Sequence, residues 1–138
     1  MNPSPDIREI LGESPGPFDR LIGLRLTHAD EVRVEAVLPV KPELLQAHGI
    51  VHGGVYCSAI EVTASVGASL RAGLDRQVVG ISNRTQFLRA TTEGTLTITA
   101  TLGSDDDGRY LWDVVIADDR GRNVAIGQVQ LLRLDPKD

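Results

Sequence analysis

One cysteine, Cys57, in 138 residues excludes an intrachain disulfide and fits a reducing cytoplasm. Basic residues are the minority, 14 Lys and Arg against 19 Asp and Glu, and the resulting charge of −5 argues against nucleic acid as a main partner. That balance leaves room for a local basic patch able to hold phosphate groups. The four aromatics besides Trp112 are too few to argue a stacking pocket. The N-terminus, with Pro3, Pro5, Asp6 and Glu9, lacks the basic-then-apolar order of a secretory signal. No Gly-x-Ser-x-Gly elbow surrounds Ser58 or Ser65, so neither reads as a nucleophile. The Asp105 to Asp107 run lacks the later glutamate of a calcium loop and reads as a hairpin tip.

Charge is also nearly absent from one long run. From Gly53 to Leu70, eighteen residues carry a single acid, Glu61, among small and apolar neighbours. A helix apolar or small on every side is a buried helix, and Gly73 is its expected stop. Its length reaches the threshold for crossing a membrane, but its glycines, hydroxyl side chains and acid exclude a span. An acid in such a helix must find partners, shift its pKa or do chemistry, and chemistry is the expectation here.

The rest of the chain supplies strands. Residues 1–17, with four prolines and two glycines, read as a loosely held leader, and residues 18–138 as one domain. Phe18 to Leu26 reads as a helical turn entering a first strand. Val32, Val34, Ala36 and Leu38 alternate with Glu31, Arg33, Glu35 and Val37, a strand with one buried face. Pro39 and Pro42 end it, and Lys41 to Val51 is a loop. After the helix come strands over Val78 to Arg89, Thr92 to Gly103, Arg109 to Asp118 and Arg122 to Leu134. A hairpin loop is expected over Ser104 to Gly108, and tight turns predict antiparallel pairing throughout. The fold class is α+β, an antiparallel sheet wrapped around one long helix. A helix apolar all round has more to bury than one small sheet can cover, so a second copy is expected to supply the remaining cover.

The run Gln46-Ala47-His48-Gly49-Ile50-Val51-His52-Gly53-Gly54-Val55-Tyr56-Cys57-Ser58-Ala59-Ile60-Glu61, with Ser82-Asn83 and Phe87-Leu88-Arg89 beyond it, resembles the hotdog-fold acyl-CoA thioesterases. The group it most resembles contains the phenylacetate-pathway and Arthrobacter-type 4-hydroxybenzoyl-CoA thioesterases. The resemblance covers roughly Phe18 to Leu134. It implies that Glu61 is the catalytic carboxylate, acting as nucleophile or as general base for water. It implies that the Gly53 N–H polarises the thioester carbonyl with Gln46 nearby, and that His52 shapes the loop. Ser65 stands where the family often has Thr, one turn after Glu61. Gly54, Asn83, Arg84 and Arg89 join His52 as candidate substrate-binding residues. The arginines would hold coenzyme A phosphates, or else be solvated strand residues. The resemblance also implies no cofactor beyond the coenzyme A of the substrate, and a homodimer at least, with a homotetramer expected.

Helix arithmetic bears on the same site. Glu61 lies eight residues after Gly53, about 12 Å along the axis, while a glutamate side chain reaches only about 4 Å. Two groups acting on one carbonyl must each come within about 3 to 3.5 Å of it. The spacing therefore predicts a site shared between two antiparallel helices of different subunits. Competing readings are a buried structural Glu61, a hotdog hydratase or dehydratase, and a non-catalytic acyl-CoA-binding module. A metal site of His48, His52 and Glu61 is possible on paper, but nothing in their spacing demands one. Cys57 reads as a packed core residue.

Overall fold

Glycine and proline punctuation divides the chain into the elements that are seen. The structure, a computed structural model, describes Gly12 and residues 14–136, so residues 1–11 and 13 of the expected leader lie outside it. α1 (Pro17–Ile22) opens with proline and ends at Gly23, whose φ of 88° suits glycine. β1 (Arg25–Ala29) and β2 (Arg33–Pro39) are joined through Asp30, whose carboxylate accepts from the Val32 and Arg33 N–H groups at 2.8 Å. Val32, expected on the buried face of β2, lies in this turn and is 47% exposed, whereas Val34, Ala36 and Leu38 are fully buried. The loop contains a single 3-10 turn at Pro42–Leu44 and a bridge between Leu45 and Val51.

α2 (Gly53–Ala72) is the long helix, ending at Gly73 with φ 96°. β3 (Val78–Phe87), β4 (Thr95–Asp106), β5 (Arg109–Ala117) and β6 (Asn123–Arg133) follow. Among the described residues no helix is long and apolar enough to cross a membrane. In β4, Leu96, Ile98 and Ala100 are buried while the threonines beside them turn outward, as the alternation predicts. The hairpin after it is tighter than expected. β4 runs on to Asp106, and only Asp107 and Gly108, at φ 49° and 89°, make the turn.

The sheet is antiparallel throughout, in the order β1-β2-β4-β5-β6-β3. This corrects the expectation of four successive strands joined by tight turns. β3 does not pair with β4; it takes the far edge beside β6. Residues 88–94 are too long for a tight hairpin and run over the end of the sheet. They are tied there by Leu88 N–H to Val124 O at 2.8 Å and Val51 N–H to Thr91 O at 2.9 Å. α2 lies across the concave face and packs against β2 through β6, most extensively against β3. This is the hotdog architecture that the resemblance implied.

Two glycines lock the helix to the sheet. A Cβ on Gly67 of α2 would collide with the ring of Trp112, which is fully buried on β5. In the reverse sense, a Cβ on Gly127 of β6 would lie 2.9 Å from Ile60 Cδ1 of α2. Each large side chain fills the space that a glycine leaves opposite it. Gly67→Ala should therefore destabilise the protein by about 1 to 3 kcal/mol through overpacking, even though alanine gains about 1 kcal/mol of helix propensity. Urea unfolding measures this, and an unchanged midpoint would contradict the socket.

Candidate functional site

Two clusters form along α2, one at its N-terminus and one two turns further on. At the N-terminus His52 is the cap, with extended backbone (φ −61°, ψ 135°) and a ring Nδ1 that accepts from Gly54 N–H at 2.7 Å. The N–H of Gly53, first residue of the helix, has no acceptor within it. The preceding loop folds back on itself, with Gln46 N–H donating to Ile50 O at 2.8 Å and Gly49 N–H to Gln46 O at 2.9 Å. The Gln46 side-chain oxygen accepts from His48 N–H, so the NH2 group is what Gln46 can offer to a ligand.

A cavity of about 460 Å³ opens here, lined by Gln46, Gly53 and Arg89 with Ile50, Tyr56 and Phe87 among its apolar walls. The Tyr56 and Phe87 rings stand 6.1 Å apart, tilted by 41°. A Cβ on Gly53 would lie 3.0 Å from Phe87 Cζ, so glycine lets the ring close over the helix start. Burial raises the Tyr56 hydroxyl pKa, opposed by Thr91 beside it.

Glu61 is elsewhere. It is partly buried between α2 and β3, and its Oε2 has no hydrogen-bond partner. Burial raises its carboxyl pKa, and the nearby Asn83 amide opposes the shift only in part. Asn83 itself is occupied by the fold. Its Nδ2 donates to Cys57 O at 3.0 Å, and its Oδ1 accepts from Thr85 Oγ1 at 2.8 Å. Among the described residues no ion pair reaches Glu61. A carboxylate desolvated, raised in pKa and left with a buried oxygen that has no hydrogen-bond partner is equipped to take a proton or to attack a carbonyl.

The expected residues thus fall into separate places. Gln46, Gly53 and Arg89 share the cavity, and Glu61 and Asn83 lie together outside it. Arg84 faces a different groove, on β3 with Asp113 and Gln128. His52 and Gly54 line a third hollow beside Phe18. Ser65 is partly buried one turn beyond Glu61, and no hydrogen bond joins the two among the described residues. Cys57, expected in the core, is only partly buried. Among the described residues no group of three or more His, Cys, Asp or Glu is placed to hold a metal. Tyr56, Phe87 and Gly80 were not expected. An isolated glycine within the β pattern of Val78 to Phe87 was the one available signal, since it marks close approach of another group.

Comparison with known proteins follows the same lines. A family model described as "Thioesterase superfamily" matches residues 48–125. Rv1847 of Mycobacterium tuberculosis, provisionally named an esterase, is 41% identical over 99% of both chains. Its solved structure covers 87% of this chain and 98% of its own with a TM-score of 0.84. The structure of AziG from S. sahachiroi is 43% identical, with a TM-score of 0.82 over 86% of this chain and 98% of its own. The 1,4-dihydroxy-2-naphthoyl-CoA hydrolase of Escherichia coli K12 is 26% identical over 73% of this chain and 74% of its own.

The raised pKa of Glu61 has a consequence for stability. On unfolding the carboxyl returns toward its ordinary value of 4.5. Between that value and the raised one the folded chain holds the proton more tightly, so stability falls as pH rises through that window. Glu61→Gln should match the parent's melting temperature at about pH 4 and exceed it at about pH 8. Thermal unfolding at both pH values checks this, and a variant less stable at the higher pH would contradict it.

Proposed function

The chain belongs to the thioesterase superfamily, and from that premise we propose that it hydrolyses an acyl-CoA thioester to the free acid and coenzyme A. The observation that carries the reading is the carboxylate of Glu61, desolvated on a charge-poor helix with one oxygen unpartnered. Glu61 attacks the thioester carbonyl carbon, or takes the proton of a water that does so. The carbon–sulfur bond then breaks and the thiolate leaves, taking up a proton that the water supplies. In the nucleophilic route water next cleaves the acyl–Glu61 anhydride, which frees the acid and restores the carboxylate. The oxyanion is held by Gly53 N–H, where the helix dipole adds roughly half a positive charge, assisted by Gln46. Ser65 orients the carboxylate or the water. Arg89, which lines the cavity, would meet coenzyme A phosphates, while Arg84 faces the separate groove with Asp113 and Gln128. His52 serves the site as a cap rather than as an acid, because its Nδ1 is held by Gly54 N–H. The reaction draws on protein groups, the substrate and water.

Two copies make one site in this reading. Within one chain Glu61 does not line the cavity that holds Gly53. β3 is a ten-residue edge strand with exposed Ile81 and Phe87, a surface that calls for a partner. A second copy against this edge brings its Glu61 to the Gly53 cavity of the first. A homodimer is then the minimum, and a homotetramer pairs two of them. The cavity volume suits an aryl or a medium-chain acyl group, in keeping with the phenylacetate-pathway group, and the lone Cys57 fits a reducing cytoplasm as the compartment.

Glu61→Gln should lower kcat by roughly 10²- to 10⁴-fold with the assembly intact. Thiol release from a small acyl-CoA panel measures it; undiminished release would defeat the assignment. Water addition without thiol release would indicate a hydratase instead, and binding without turnover a sensor. The shared site has its own test. Gly53→Pro deletes the N–H at a helix position that tolerates proline. Co-refolded with Glu61→Gln, it should restore about a quarter of parental activity, since half the pairs are mixed and each has one intact site. No recovery would place both groups in one chain's site.

A further inference from the structure

β3 carries a glycine that its backbone does not require. Gly80 is not among the residues with positive φ, so alanine could adopt the same conformation. The β-bulge between Gly80 and Ser82 does not ask for glycine either, for the same reason. A strand interior would ordinarily be better served by almost any other residue. What glycine supplies here is room. The three atoms nearest to a Cβ built on Gly80 all belong to the Glu61 carboxyl group. Oε1 would be well inside contact distance, with Cδ at 3.4 Å and Oε2 at 3.6 Å. Nearby, Asn83 donates to Cys57 O at 3.0 Å, one helical turn before Glu61, and so ties the same strand to the helix.

We propose that Gly80 is a positioning residue: by having no side chain it lets Oε1 of Glu61 rest against β3, which leaves Oε2 without a hydrogen-bond partner and turned to the reacting groups. This rests on the reading of Glu61 as base or nucleophile. The relation is one of matched sizes, a long acid facing a glycine. The displaced atoms in a Gly80→Ala variant are the far end of a flexible side chain, so the carboxylate rotates away while the fold stays. An acid one methylene shorter would fit beside the new methyl group.

The test is a double-mutant cycle of Gly80→Ala and Glu61→Asp, with Glu61→Gln as a separate arm. Gly80→Ala should lower kcat roughly 10- to 100-fold through misplacement, with KM little changed and no loss of melting temperature. The lower limb of its pH–rate profile should move toward the ordinary carboxylate range, because the displaced group is more hydrated. A ¹³C NMR titration of Glu61 reads the same movement without activity. Adding Glu61→Asp should lower kcat in the parent yet raise it in the Gly80→Ala background. Multiplying losses in the double variant would overturn the proposal. So would an unmoved limb and titration, or a Gly80→Ala chain that fails to fold. A fully active Glu61→Gln overturns the underlying assignment; an inactive one with multiplying losses sinks the role of Gly80 alone.

Discussion

The reciprocal seating of helix and sheet is the constraint on which the molecule depends. Trp112 of β5 enters the gap at Gly67, and Ile60 of α2 enters the gap at Gly127 of β6. Close-packed interiors do not allow such a helix to slide or roll. Glu61 follows Ile60 by one residue, about 100° around the helix, so the seating of one directs the other toward β3. The same seating holds Gly53 at the mouth of the cavity. The candidate chemistry is thus placed by apolar packing, and the polar groups inherit their positions.

Several glycines in this chain serve as empty volume. Gly67 admits Trp112, Gly127 admits Ile60, Gly54 admits the capping ring of His52, and Gly53 admits Phe87. Only the turn glycines, such as Gly23 and Gly73, are there for a left-handed backbone. Gly80 belongs with the first group, and its occupant is the Glu61 carboxylate. Keeping that carboxylate desolvated with a buried oxygen unpartnered costs folding stability, a feature that functional groups often share. An edge strand with exposed Phe87 and Ile81 is a second such cost, and both fall on β3.

Much of the fold was legible in the residues. The alternation of β2 and β4, the charge-poor helix and its end at Gly73 are local patterns, and each appears within a few residues of its expected place. Val32 and the hairpin at Asp107-Gly108 differed because a turn carboxylate and two left-handed residues, both local geometry, set the boundaries. The position of β3 was not legible. Nothing in Val78 to Phe87 states that its partner is β6, since pairing is settled by which strands the helix covers and which connections can span the sheet. Among the candidate residues, Gln46, Gly53 and Arg89 gather at one cavity, while Arg84 lines a separate groove with Asp113 and Gln128.

By itself the sequence determined the chemical inventory: one isolated acid on a small-residue helix, a glycine pair behind a histidine, and strands enough to cover them. Those follow from residue type and short-range periodicity, which the linear chain carries in full. Only the tertiary structure decided which side of the helix the acid takes, that β3 closes the far edge, and that Gly80 leaves it space. Such facts arise from contacts between residues far apart in the chain, and close packing selects among them only once the whole core is assembled.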